Sequence, residues 1–225
     1  MGSFHTVIVN LKNYKESSGQ NLEKFLSSLN GIERENNVRT IMAVNPLDLA
    51  NAKKNSPFEI FSQTVDPVPK GAFTGKIPVE SLREMNVKGS LVNHSENRVA
   101  PEKIHSIMEI SRKVGLEIVL CVESLEEARR YVLLKPDFIA YEPPELIGGD
   151  VSVTSAAPSI IRDVVDACSA YDVKVLVGAG VKNADDASKS IHLGAQGVLI
   201  ASGIVKSHDP LKALKGIIQG VADSS

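Results

Sequence analysis

The stretch Gly89-Ser90-Leu91-Val92-Asn93-His94-Ser95-Glu96-Asn97-Arg98 joins a short apolar run to a dense cluster of polar and ionisable side chains. The apolar residues Leu91 and Val92 are typical of a buried strand, and the polar cluster begins directly after them. A strand end gives such side chains a rigid support, as a catalytic site requires. Taken alone, the stretch fits a charged turn with one idle histidine better than a catalytic site.

Two further apolar runs end in the same way. Asn10-Leu11-Lys12 follows Val7–Val9, and Glu142-Pro143-Pro144 follows Phe138–Tyr141. Three separate predicted strands therefore end in a lysine, a histidine and a glutamate. This convergence favours a catalytic site over three unrelated turns.

Short apolar runs that favour β-structure recur along the whole chain. They are continuously apolar rather than alternating, as expected of parallel strands that are buried on both faces. The predicted strands are Val7–Asn10, Thr40–Val44, Ile60–Gln63, Ser90–Asn93, Ile118–Val122, Phe138–Tyr141, Val175–Val177 and Val198–Ile200.

Helical patterns lie between these strands. Apolar residues at helical spacing predict the helices Glu102–Val114, Leu125–Leu134, Ser159–Ala170 and Ala184–Leu193. Residues whose side chains can accept a backbone N–H at a helix start are the candidate N-caps Asn45, Ser124, Thr154, Asn183 and Asp209.

Strand and helix alternate throughout the 225 residues without a linker or a break in composition, which predicts a single domain over residues 1–225. Eight strand–helix units of about 28 residues are short for an eight-fold barrel, which more often has about 250 residues. We therefore expect a closed (β/α)8 TIM barrel with shortened or missing helices. The alternative is a doubly wound open sheet, which usually has a glycine-rich turn after its first strand. Here no glycine follows that strand until Gly19.

Composition narrows the class of function. The formal net charge is −2, so no global basic field points to nucleic acid or to an anionic membrane. No apolar run approaches the roughly 20 residues needed to span a bilayer. Cys121 and Cys168 both lie in apolar surroundings, as is typical of reduced core thiols, and this favours the cytoplasm. No Cys/His spacing suggests a metal, and no motif suggests a redox cofactor.

The carboxyl ends of parallel barrel strands meet at one face, where the active site of such barrels lies. Two late strands end in small residues, Gly178-Ala179-Gly180 and Ala201-Ser202-Gly203, which let backbone N–H groups approach an anion. A glutamate can abstract a proton, an imidazole can polarise a carbonyl, and an ammonium can stabilise negative charge. The set predicts proton abstraction beside the carbonyl of a small phosphorylated substrate.

These residues resemble the motifs of the triosephosphate isomerase family over essentially the whole chain. The matching motifs are Asn10-x-Lys12, Thr74-Gly75, Asn93-His94-Ser95-Glu96-x-Arg98, Ala140-Tyr141-Glu142-Pro143 and the two glycine-containing late loops. The short length and the run Glu142-Pro143-Pro144-Glu145-Leu146-Ile147-Gly148 look like the compact archaeal branch of that family. The commoner branch has a Trp in this loop, whereas this chain contains no Trp.

The resemblance implies a role for each matching catalytic residue. Glu142 would move a proton between the two substrate carbons, and His94 would act as a neutral electrophile at the enediolate oxygens. Lys12 and Asn10 would hold the substrate and its developing negative charge.

Supporting and phosphate-binding roles are implied in the same way. Glu96 would support the site beside Lys12, and Ser95 would hold Glu142 when the site is open. The residues whose backbone groups would bind the phosphate are Ile147, Gly180, Ala201 and Ser202.

The segment Thr64–Lys76 is too long, and too rich in Pro and Gly, for a simple turn between a strand and a helix. The resemblance implies that it reaches into a neighbouring subunit near Lys12 and His94. The chain would then form a homodimer or a homotetramer.

The leading hypothesis is the reaction of that family, the interconversion of dihydroxyacetone phosphate and D-glyceraldehyde 3-phosphate in glycolysis and gluconeogenesis, without a cofactor or a metal. One alternative is another phosphate-binding barrel, such as a sugar-phosphate isomerase of amino-acid synthesis. It would explain the late glycine loops but not the lysine, the histidine and the glutamate. A second alternative is a catalytically silent scaffold barrel, against which the presence of Lys12, His94 and Glu142 argues.

Overall fold

A closed barrel of eight parallel strands forms the centre of the computed structural model. The structure describes residues 5–32, 37–146 and 153–224. The strands are β1 (His5–Asn10), β2 (Val38–Val44), β3 (Glu59–Ser62), β4 (Gly89–Val92), β5 (Glu117–Val122), β6 (Phe138–Tyr141), β7 (Lys174–Val177) and β8 (Gly197–Ile200). Each strand pairs with the next along the chain, and β8 closes the barrel by pairing with β1. The predicted (β/α)8 barrel is confirmed, and the open sheet is wrong.

At least one helix follows every strand. The α-helices of the described residues are α1 (Leu22–Ser28), α2 (Leu49–Asn55), α3 (Val79–Glu84), α4 (Pro101–Val114), α5 (Leu125–Tyr131), α6 (Val153–Ala156), α7 (Pro158–Ser169), α8 (Ala184–His192), α9 (Ser202–Val205) and α10 (Pro210–Ala222). Short 3-10 turns occupy Gly19–Asn21, Pro46–Asp48, Val132–Leu134 and Pro144–Leu146. Helices of six or seven residues after several strands confirm the expected shortening.

Four of the predicted helix caps are confirmed and one is wrong. The side chains that accept a backbone N–H of the first turn belong to Asn45, Ser124, Asn183 and Asp209. Thr154 is not a cap, because α6 begins one residue earlier, at Val153.

The apolar strands are buried on both faces, as predicted. Alternate residues of each strand point into the barrel and form an inner core, while the residues between them pack against the helices. The inner core consists of Ile8, Ile41, Ala43, Phe61, Leu91, Val119, Cys121, Phe138, Ala140, Leu176 and Leu199. This packing makes the strand ends a rigid platform for the side chains that follow them.

An ion cluster occupies the amino-terminal end of the barrel interior. Arg39 of β2 donates hydrogen bonds to Glu59 of β3 at 3.0 Å and to Glu117 of β5 at 2.7 Å. Arg39, Glu59 and Glu117 each lie two positions before an inner-core residue of the same strand. Because side chains alternate along a strand, all three therefore point into the barrel. Burial alone would lower the pKa of Arg39, but the hydrogen bonds to Glu117 and Glu59 raise it. The hydrogen bond from Arg39 lowers the pKa of Glu59 in turn.

Both cysteines, Cys121 and Cys168, are buried and unpaired, as the sequence predicts for core thiols. Burial raises the pKa of Cys168 to about 11, so its thiol is protonated at neutral pH. Within the described residues, no helix is long and apolar enough to cross a membrane.

Candidate active site

The three strand-end residues predicted to be catalytic lie together at the carboxyl end of the barrel. Lys12 lies two residues after β1, His94 two residues after β4, and Glu142 directly after β6. They line one cleft together with Asn10. His94 is 6% exposed and Glu142 is 4% exposed, so little water reaches either side chain.

Glu142 has a carboxylate oxygen without a protein partner. Its Oε2 lies 3.6 Å from Nε2 of His94, which is too far for a hydrogen bond, and it has no other partner among the described residues. Burial of a carboxylate oxygen without a hydrogen bond costs free energy, and a buried group kept at such a cost is a candidate for a functional role. Gly178 makes room for the side chain, since a Cβ at this position would lie 2.4 Å from Glu142 Cγ.

The thiol of Cys121 in β5 is a neighbour of the Glu142 carboxylate. Burial raises the pKa of Cys121, and the nearby charge of Glu142 raises it further. The thiol therefore stays protonated at neutral pH and is not a nucleophile.

The ring of His94 is held by a hydrogen bond at Nδ1, and its other nitrogen, Nε2, faces the cleft. Nδ1 accepts the backbone N–H of Glu96 at 3.1 Å. A ring nitrogen that accepts a hydrogen bond carries no proton, so in this geometry the proton of the neutral ring is on Nε2. Nε2 is the nitrogen that faces Glu142. The arrangement fits a neutral electrophile that donates a hydrogen bond into the cleft.

Lys12 has a backbone conformation that is uncommon for a residue with a side chain. Its φ is +48°, in the left-handed region. Its backbone N–H donates to Oδ1 of Asn10 at 3.0 Å, and its Nζ donates to Oε1 of Glu96 at 2.6 Å. The expected position of Glu96 beside Lys12 is therefore present, and the ion pair holds the ammonium at the cleft.

Gln63, to which the sequence analysis assigned no role, connects the ends of three neighbouring strands. Its Nε2 lies 3.2 Å from Oδ1 of Asn10, 3.1 Å from the carbonyl of Lys12 and 3.2 Å from the carbonyl of Ala43. The amide thereby supports the left-handed turn at Lys12. The available signal was its position, because Gln63 follows β3 just as the other polar residues follow their strands.

The turns after β7 and β8 line the same cleft as the catalytic residues. Gly178, Gly180, Ala201 and Ser202 of these turns line the cleft, and the last three are residues expected to bind the phosphate. Gly180 has a φ of +69°, which glycine adopts without strain. Helix α9 begins at Ser202, so the first N–H groups of this turn have no acceptor within the helix. Ile147 lies outside the described residues.

Two further polar residues line the cleft. They are Tyr14 and Lys182, and the sequence analysis missed both. Ser95 is half-buried next to His94. The contact of Ser95 with Glu142 that is expected for an open site stays a prediction.

One family model matches the barrel together with the cleft at its carboxyl end. The family model described as "Triosephosphate isomerase" matches residues 5–220, a span that contains every site residue named above. The chain belongs to the triosephosphate isomerase family. It is therefore an isomerase, as the sequence predicts.

Relatives of the triosephosphate isomerase family match almost end to end. The "Triosephosphate isomerase" of Thermoplasma volcanium is 53% identical over 214 residues, which cover 95% of this chain and 99% of the relative. That of Methanothermus fervidus is 36% identical and covers 94% of this chain and 96% of the relative. That of Saccharolobus solfataricus is 35% identical, with 94% of each chain covered. The archaeal-type assignment is confirmed, and neither alternative class of barrel is favoured.

Proposed function

We propose that the protein interconverts dihydroxyacetone phosphate and D-glyceraldehyde 3-phosphate, the reaction of the triosephosphate isomerase family. The observation that carries the proposal is the opposition of Glu142 Oε2 and His94 Nε2, 3.6 Å apart at the mouth of the barrel. One is an unpaired base and the other is a neutral hydrogen-bond donor. Together they supply what proton transfer between adjacent carbons requires.

The reaction begins when Glu142 takes the proton from the carbon next to the substrate carbonyl. The electron pair of the broken C–H bond forms the C=C bond of an enediolate, and negative charge collects on the former carbonyl oxygen. His94 gives its Nε2 proton to this oxygen and takes up the hydroxyl proton of the neighbouring oxygen, so the negative charge moves to that second oxygen, while the ammonium of Lys12 stabilises the charge. Glu142 then returns the proton to the neighbouring carbon, which gives the other triose phosphate.

The substrate phosphate binds at the turns after β7 and β8. Backbone N–H groups at Gly180, Ala201 and Ser202 contact its oxygens, and the lining of the cleft by these residues supports this role. Ile147 completes the set by family resemblance. Asn10 and Lys12 hold the other end of the substrate.

The protein acts as a homodimer or a homotetramer in which segment Thr64–Lys76 of one copy docks on the next. Two observations support this proposal. The segment carries the exposed side chain of Phe73, which is 42% accessible. A groove of about 260 Å³ borders Lys12 and Glu96 and offers a place for the segment of a second copy.

The reaction belongs to glycolysis and gluconeogenesis, and we place the protein in the cytoplasm as a single-domain enzyme. The buried, unpaired thiols support a reducing compartment. The single closed barrel supports one domain.

The test follows isomerisation of D-glyceraldehyde 3-phosphate by NMR in D₂O, alongside a coupled assay for the rate. A proton held by Glu142 exchanges in part with solvent, so we expect deuterium on the product carbon. The same assay on Glu142→Gln tests the base. Glu109→Gln, whose side chain is 69% exposed on α4, is the control for the change of a glutamate to a glutamine. Absence of isomerisation would refute the proposed function. Isomerisation without deuterium, together with unchanged turnover in Glu142→Gln, would refute the role of Glu142.

A further inference from the structure

Asn93 lies between β4 and His94 in an unusual backbone conformation. Its φ is +64°, in the left-handed region that asparagine tolerates better than most residues with a side chain. Its side chain is buried, with 1% of its surface exposed. The chain leaves the barrel at this residue, and the next residue is the proposed electrophile.

Both ends of the Asn93 side chain are hydrogen-bonded. Nδ2 donates to the carbonyl of Cys121 in β5 at 3.0 Å, and Oδ1 accepts the backbone N–H of Val99 at 3.1 Å. Backbone pairing of β4 with β5 ends one residue earlier on each strand, so the first bond extends the contact between these strands. The second bond closes the turn that contains His94.

The turn enclosed by these bonds is tied internally as well. The backbone N–H of Asn97 donates to the carbonyl of His94 at 2.8 Å, and Nη1 of Arg98 donates to the carbonyl of Asn93 at 3.3 Å. The N–H of Glu96 donates to Nδ1 of His94. The bonds within the turn and the two bonds of the Asn93 side chain therefore together hold the imidazole, and the bond from Glu96 to Nδ1 depends on the conformation that Asn93 imposes.

We propose that Asn93 is a positioning residue for the isomerisation. Its left-handed backbone and its two side-chain hydrogen bonds fix the imidazole of His94 opposite Glu142, with the proton on Nε2. The inference rests on the proposed function, in which His94 donates to the substrate oxygen. Rotation of the turn would loosen the bond from Glu96 that selects the tautomer and would displace Nε2. A displacement of about 1 Å at a reacting group costs roughly 100-fold in rate.

The test compares Asn93→Gly with the matched variant Asn86→Gly. Glycine keeps the left-handed backbone and removes both side-chain hydrogen bonds. Asn86 also has a positive φ, +57°, and is exposed in the turn before β4, so it reports the cost of the same substitution away from the site. In Asn93→Gly we expect kcat to fall by about 10-fold to 100-fold. KM and the inhibition constant of inorganic phosphate should change less than about three-fold, because Lys12 and the phosphate turns are unaltered. Asn86→Gly should match the parent.

Nitrogen-15 NMR of the imidazole gives a readout that does not depend on activity. In the parent, the protonated Nε2 and the unprotonated Nδ1 of His94 should have well-separated shifts. In Asn93→Gly the two shifts should move towards each other, because both tautomers become populated. If this variant does not fold, Asn93→Asp retains the bond to Val99, loses the bond to Cys121, and should change kcat and the shifts in the same direction.

Two results would overturn the inference. One is a kcat within two-fold of the parent in the folded Asn93 variant. The other is a lower kcat with unchanged shifts of the His94 ring. A parent protein that shows the expected shifts but no isomerase activity would instead overturn the proposed function and leave the positioning of His94 intact.

Discussion

Single residues of the site fall into two groups by their hydrogen bonds. Oδ1 of Asn10 accepts from Lys12 and from Gln63, and Nζ of Lys12 pairs with Glu96. Oε2 of Glu142, in contrast, has no partner within the described part of the chain. The hydrogen-bonded groups stabilise the structure of the site, whereas Oε2 of Glu142 contributes no such bond among the described residues. Loss of Oε2 should therefore affect the rate rather than the fold.

Glu142→Gln should lower kcat by about 10²-fold to 10⁴-fold, because it removes the base. The melting temperature should not fall, since the amide is nearly isosteric and a buried, unpaired charge is lost. A coupled assay and a thermal melt on the same preparation measure both quantities, with Glu109→Gln as the exposed control. Turnover within a few-fold of the parent would exclude Glu142 as the base.

His94→Gln should lower kcat far more than it raises KM, because polarisation by the imidazole matters mainly as charge develops on the substrate oxygen. Steady-state kinetics separate the two constants. The control is His105→Gln, at an exposed position of α4. A higher KM with an unchanged kcat would contradict the role of His94 as the electrophile.

The sequence alone predicted most of the polar site residues, but it did not predict Gln63, whose amide supports two of them. Lys12, His94 and Glu142 were recognisable because ionisable side chains directly after apolar runs are unusual. Gln63 was not, because the sequence pattern places it as the last residue of the predicted strand Ile60–Gln63, whereas β3 ends at Ser62. Its contacts with Asn10 and Lys12 arise only when β3 lies beside the ends of β1 and β2.

At the scale of elements, the ion cluster joins three strands at the end of the barrel that is remote from the site. Glu59→Gln should destabilise the fold at pH 7 by about 1 kcal/mol, a modest value because Glu59 is partly exposed and solvent screens the charge. Urea unfolding of parent and variant measures this difference.

The same pair of proteins should show a defined dependence on pH. The hydrogen bond from Arg39 lowers the pKa of folded Glu59 below its ordinary value of 4.5. The stability that Glu59 contributes is therefore fully present above about pH 4.5 and is lost as the pH falls through the folded-state pKa. The gap between parent and variant should close in acid. Glu23→Gln, on the exposed face of α1, should show no such gap, and a gap independent of pH would contradict the assignment.

Element positions were predictable to within two residues for every strand, because continuous apolar runs mark strands that are buried on both faces. The direction in which each side chain points was not predictable, because a run that is apolar throughout does not separate its inner from its outer residues. The cluster of Arg39, Glu59 and Glu117 was missed for this reason. Its members meet only after the barrel has closed.

At the scale of the whole molecule, the proposed oligomer depends on the segment Thr64–Lys76. Phe73→Asp should convert the oligomer to monomers and lower the specific activity at low protein concentration, since a charge replaces an apolar contact between copies. Light scattering and an activity titration measure the two effects. Tyr171→Asp is the matched control, because Tyr171 is 39% exposed, much like Phe73, but lies after α7. A fully active monomeric parent would contradict the proposal directly.

The seam between β1 and β8 joins segments that the ribosome makes far apart in time. Val7 pairs with Val198, so no growing chain can close its barrel before Gly197–Ile200 has emerged. Until then β1 has an unpaired edge, which is open to pairing with another nascent chain. Gly197 fits this seam only because it lacks a side chain, since a Cβ there would lie 1.9 Å from the carbonyl oxygen of Thr6. A substitution of Gly197 should therefore lower the fraction of newly made chains that reach the folded state. This loss would come before any change in the turnover of the folded enzyme.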